Sequence, residues 1–202
     1  MKESDLFVYL DDVQYEKNYF QNRNKLVDKE GNVFYATVPL RKSSSSKKIN
    51  EKKILFPDYT KKYLNKIYDS YNKTPFFNDF FERFKSIILY DHENLADLNI
   101  SIISWMKEIL GIKTSVIRSS QITYAGKKSD LNLSICCELK ATKYLTGMSG
   151  FSYLNIESFK KNKIEIIEHN PQIKSYQCKN YIAGMSSFDL IMNHGENSFK
   201  YI

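Results

Sequence analysis

The sequence predicts one α/β domain over residues 1–202, Rossmann-like, with a mostly parallel sheet and a helical insertion after the second strand. Three observations predict this. Short apolar runs near the start read as strands. A helical period holds from about residue 58 to residue 111. Strand-like and helix-like stretches then alternate with short links. Alternation of that kind implies parallel strands joined by right-handed crossovers. Ligands of such sheets sit beyond the carboxyl ends of the strands. A chain of 202 residues suffices for one sizeable core.

Leu6 to Leu10 reads as a short buried strand, followed by the polar, aromatic-laced stretch from Asp11 to Lys25. Asn32 to Leu40 reads as the second strand, with Gly31 marking the turn before it. RKSSSSKK at 41–48 cannot form a packed element; it is a mobile surface loop or an anion-gripping lid. Tyr63, Ile67 and Tyr71 then mark a helical stripe. Pro75 opens a helix whose apolar face runs from Phe76 to Ile88. In the next helix Leu95, Leu98, Ile102, Trp105 and Ile109 recur at spacings of three and four, all as core. Asp91 is its expected N-cap and Gly111 its stop. Beyond it, 114–117 reads as strand, 128–140 as helix, 143–145 as strand ending at Gly147, 158–161 as helix and 164–167 as strand.

Composition narrows the function classes. The net charge of +7 suits anionic partners such as phosphorylated substrates, lipid headgroups or nucleic acid. No nucleic-acid-binding motif accompanies it, so no specific nucleic acid is expected. No run of 18 apolar residues spans a membrane, although peripheral contact with one fits the charge. The start lacks a signal-peptide core. Three cysteines (Cys136, Cys137 and Cys178) without metal spacing fit a reducing cytoplasm and no metal site. The sequence names no cofactor.

The candidate chemistry sits after strands and at helix starts. Asp11 and Asp12 follow the first strand, as a general base, a metal–phosphate ligand or a solvated turn. Gln14, Asn22, Arg23 and Asn24 come close behind. The amides suit sugar hydroxyls, and the guanidinium suits a carboxylate or phosphate. His92, beside Asp91, is a neutral base or only a first-turn residue. Lys127 and Lys128, after Gly126, open a helix as a phosphate site or as capping sequence. Gly147 and Ser149 follow a strand, where a ligand can approach the backbone. No P-loop, dinucleotide fingerprint or nucleophile elbow is present.

FVYLDDVQY, QNRNK, ATVPL, DHENLADLNISIISW with LGI, GKKSDLNLSICCELKATKYLTGMSG and SSFDLIMNHG stand in the order that resembles the WbqC-like family, from about residue 3 to residue 197. The resemblance implies a cytoplasmic, sugar-modifying transferase of surface-polysaccharide (lipopolysaccharide, O-antigen) biosynthesis. Transfer of an aminoacyl (glycyl) or acyl group to an amino sugar is the implied reaction. Its partners would be a nucleotide-linked or lipid-linked sugar and an activated acyl or aminoacyl donor. Family members usually open with a His-Gln-Pro-x-Tyr-x-Pro-type segment, ahead of the point where this chain starts. A chain lacking it is expected to be inactive if that histidine is catalytic. Where relatives often read Lys-Thr-x-Arg-Leu, this chain reads Lys128-Ser129-Asp130-Leu131-Asn132. Two other readings stand beside the transferase: an inactive binding or scaffold protein of a polysaccharide assembly complex, and a nucleotidyl-transferring or adenylating enzyme.

Overall fold

A computed structural model describes residues 1–42, 48–171 and 174–202. The serine-rich stretch 43–47, and with it most of the lid reading, lies outside the described residues. The architecture is mixed α/β. The strands are β1 (Leu6–Tyr9), β2 (Arg23–Val27), β3 (Val33–Thr37), β4 (Ser115–Arg118), β5 (Lys143–Gly147) and β6 (Glu165–His169). The helices are α1 (Thr60–Tyr71), α2 (Phe77–Leu89), α3 (Leu95–Ile109), α4 (Ser129–Glu138), α5 (Met148–Phe151), α6 (Ile156–Lys161) and α7 (Ser187–His194). The chain divides into two compact units, Met1–Leu10 with Thr114–Gln172 and Asp11–Lys113 with Ile173–Ile202.

The first unit carries the parallel pairing expected of the second half. β1 runs parallel to β4, with Leu6 opposite Ser115, and β5 runs parallel to β6, with Lys143 opposite Glu165. α4 connects β4 to β5, and α6 precedes β6, as the alternation requires. A small core of Cys136, Leu154, Phe159 and Ile164 sits under these elements. Burial pushes the Cys136 thiol up to about 11, which makes it a core side chain at neutral pH.

The second unit departs from the sequence reading at its start. The polar stretch does not stay a loop: residues 23–27 form β2, which pairs antiparallel with β3. The strands therefore pair as three two-stranded sheets, two parallel and one antiparallel, and the helices follow the third strand. The turn explains how so polar a segment becomes a strand. Asp28 accepts from the backbone N–H of Glu30 and Asn32, and Gly31 takes φ +95°, a conformation open to glycine. Those bonds, and Lys66 nearby, hold the Asp28 carboxyl below its usual range.

Helical periodicity then builds the main core. Ile67 and Tyr71 of α1, Phe77, Phe81, Phe84 and Ile88 of α2, Leu98 and Trp105 of α3, and Phe188, Ile191 and Met192 of α7 pack together. Each buried side chain of this kind stabilises the fold by roughly 1.5–3 kcal/mol. The N-cap of α3 is Asn94, whose Oδ1 accepts from the Asp97 N–H at 3.0 Å, and not Asp91. A helix capped at Asp91 would need 92–94 to be helical, whereas Asn94 has extended backbone. α7 stops at Gly195, φ +56°, where a Cβ would come within 2.6 Å of the Phe76 ring. Among the described residues no helix is long and apolar enough to cross a membrane.

Candidate functional site

The hairpin and four helices of the second unit line a half-open cavity of about 190 Å³. The segment from Phe20 to Asn24 forms its polar wall, joined by Asn99 of α3 and Ser186 ahead of α7. Its floor is apolar: Leu26, Ala36 and Val38 from the hairpin, Phe84, Ile102, Ile103, Met106 and Phe188 from the helices. Tyr63 of α1 also lines it, and burial together with neighbouring Tyr59 raises its phenol above the ordinary tyrosine range.

Hydrogen bonds fix the wall. The Tyr15 hydroxyl donates to Asn22 Oδ1 at 2.9 Å, while Asn22 Nδ2 donates to the Val38 carbonyl at 2.9 Å. Asn99 Nδ2 donates to the Gln21 carbonyl at 2.7 Å, tying helix to wall. Gln21 Oε1 in turn accepts from the Glu16 N–H at 2.8 Å. Burial raises the Tyr15 phenol, and the Arg23 charge partly opposes this. Arg23 lays its guanidinium over the Tyr35 ring at 4.4 Å and donates through Nη2 to the Asn18 carbonyl. Its Nε is buried with no hydrogen-bond partner among the described residues. A buried donor left unpaired costs about 1–3 kcal/mol. Tyr19, Phe20 and Tyr35 form an exposed aromatic chain beside it.

Three of the residues singled out in the sequence meet at this cavity: Asn22, Arg23 and Asn24. Arg23 and Asn24 stand on β2, a firmer platform than the loop expected of them. Asp11, Asp12, Gln14 and His92 belong to the same unit but do not line the cavity. Asp11 is buried at 4% exposure, which rules out a solvated turn there. Asp12 pairs with Lys48 at 3.6 Å, and Gln14 bridges to Lys48 through the backbone. His92 lies between α2 and α3, ahead of the N-cap, with Nε2 bonded to the Ile87 carbonyl at 2.9 Å. That places it outside the first turn expected for it. Lys127, Lys128, Gly147 and Ser149 belong to the first unit, and all four are exposed. Lys128 stands just ahead of α4 with φ +53°. The Ser129 hydroxyl accepts from the Asn155 N–H at 2.8 Å.

Asn99, Ser186 and Ile103 are not among the residues singled out in the sequence. Asn99 was legible: it is a lone amide in an apolar helix, three positions before Ile102. Ile102 was assigned to the core, and it does pack there, but it also lines the cavity.

No solved structure matches the chain. A curated protein of Mycobacterium tuberculosis (strain ATCC 25618 / H37Rv), described as "Uncharacterized protein Rv1507c", is 29% identical over 205 residues, covering 98% of this chain and 87% of that protein. The family model described as "WbqC-like protein family" matches residues 1–201, the stretch that holds both the hairpin wall and the helical floor of the cavity. The chain belongs to the WbqC-like family.

Proposed function

We propose that the chain is a cytoplasmic transferase of surface-polysaccharide biosynthesis, O-antigen included, which moves an acyl or aminoacyl group onto an amino sugar. The observation that carries this reading is the cavity, whose amide-and-guanidinium wall stands over an apolar floor. Amides and Arg23 suit the hydroxyl, carbonyl and phosphate groups of a linked sugar. In the reaction the sugar nitrogen attacks the acyl carbonyl carbon and a C–N bond forms. The bond from that carbon to its leaving group breaks, and a base takes the nitrogen's proton. Asp11, Asp12 and His92 are the candidate bases. Asn22, Asn24 and Gln14 are the orienting groups. Lys127, Lys128, Gly147 and Ser149 keep their assignment to substrate binding within the first unit. The finer fold reading, one Rossmann-like domain with a mostly parallel sheet, belongs to the same proposal.

One observation favours a second reading, a binding or scaffold protein. Among the described residues that line the cavity there is no carboxylate, imidazole or thiol. A thermal-shift screen across nucleotide sugars, lipid-linked sugars and acyl donors separates the two. A ligand at one hundred times its dissociation constant adds about 2.7 kcal/mol of stability. The transferase reading expects such a shift, and expects Arg23→Ala to weaken binding by more than about 1 kcal/mol. No shift with any of these ligands, together with capture of a glycosyltransferase from the same cells, would leave the scaffold reading.

A further inference from the structure

We infer that the cavity seats a small uncharged acyl group and rejects an aminoacyl group that carries its ammonium. This rests on the cavity being the substrate site proposed above, and it decides between the two kinds of group that reading allows.

Size comes first. A dry cavity of about 150 Å³ holds benzene, and pockets that bury a drug-sized ligand run from about 300 Å³ upward. At about 190 Å³ the cavity takes one small branched or ring-sized group and leaves the rest of any linked sugar outside.

Chemistry of the lining comes next. Leu26, Val38, Ile102, Ile103, Met106 and Phe188 offer contact without hydrogen bonds. Sugar hydroxyls placed against them would be desolvated and unpaired, whereas methyl and methylene groups gain by burial. Charge then selects among acyl groups. Among the described residues no Asp or Glu lines the cavity, and Arg23 is the one cationic side chain that does. An ammonium there would find no counter-charge among the described residues and would meet a charge of its own sign. A carbonyl oxygen has the opposite fit, because its partial negative charge is drawn to the Arg23 guanidinium on the wall.

The test uses the full chain with ¹³C-labelled isoleucine and methionine methyls. Its probes are isobutyramide, a neutral branched acyl amide, and glycinamide, an ammonium-bearing amide, with propionamide as the neutral control of glycinamide's size. Isobutyramide is expected to shift the methyls of Ile102, Ile103 and Met106 saturably, with glycinamide at least tenfold weaker at the same methyls. Ile103 is only partly buried, so Ile103→Asp is a tolerable way to place a carboxylate on the wall. It should reverse the preference. Glycinamide binding as tightly as isobutyramide to the unaltered chain would overturn the inference, as would isobutyramide that moves no cavity methyl. Isobutyramide in the cavity with no response to any linked sugar ends the transferase reading and leaves this one standing. Linked-sugar binding with glycinamide preferred does the reverse.

Discussion

Asp189 and Arg23 are an acidic and a basic side chain drawn into the same unit, and the fold treats them in opposite ways. Asp189, at 4% exposure, receives the Tyr71 hydroxyl on Oδ1 at 2.8 Å and the Tyr176 hydroxyl on Oδ2. Tyr71 in turn accepts from the Val27 N–H at 3.2 Å, so the network binds α7, α1 and β2 together. The carboxyl also lies in the first turn of α7, where the helix dipole favours negative charge. Arg23 has a ring beneath it and one carbonyl at Nη2, yet its Nε has no acceptor among the described residues. A fully bonded buried network is worth stability. A buried donor left unpaired costs stability.

The contrast breaks most easily at Asp189. Asp189→Ala strips the acceptor from one buried and one partly buried phenol and is expected to cost about 2–4 kcal/mol, read as a lower denaturant midpoint at unchanged slope. A loss below about 1 kcal/mol would mean that the network is not what holds these three elements together.

Alkaline pH gives the next largest effect. Burial, together with Asp189, raises the phenols of both Tyr71 and Tyr176 above the usual tyrosine value. In the unfolded chain both lose their protons near pH 10, while the folded chain keeps them. Their contribution is therefore complete below about pH 10 and falls as pH rises beyond it, by up to about 1.4 kcal/mol per pH unit for each group. Stability that stays flat from about pH 9 to pH 11 would contradict the network. Tyr176→Phe should flatten part of the decline.

Arg23→Met sharpens the other side of the comparison. Removing an unpaired donor should change stability by no more than about 1 kcal/mol in either direction. It should also abolish any ligand-induced shift that the unaltered chain shows. A large loss of stability would make Arg23 a structural residue like Asp189. The smallest effect is expected at Arg83 and Glu108, an ion pair with both partners more than half exposed. Arg83→Ala should cost less than about 1 kcal/mol and leave binding untouched.

These differences follow what the sequence displays. The helices were legible because Ile67 and Tyr71, Phe77, Phe81, Phe84 and Ile88, or Leu98, Trp105 and Ile109 repeat at helical spacing. Local period writes such faces plainly. β2 was not legible, because Arg23, Asn24 and Lys25 carry no strand-like alternation and only Leu26 and Val27 are buried. What makes it a strand is its partner β3 and the Asp28 turn, which are contacts across the hairpin. The cavity was half legible for the same reason. Its wall, Asn22 to Asn24, is contiguous, while its floor gathers residues from α1, α2, α3 and α7 that meet only after folding.

The most direct test of the account is to titrate a panel of nucleotide-linked amino sugars into the methyl-labelled chain and follow every isoleucine and methionine methyl. At least one ligand should move Ile102, Ile103 and Met106 saturably while Ile164 and Ile166, in the core of the other unit, stay in place. Ligands that bind but leave those three methyls unmoved would show that the cavity beside Arg23 is not the site.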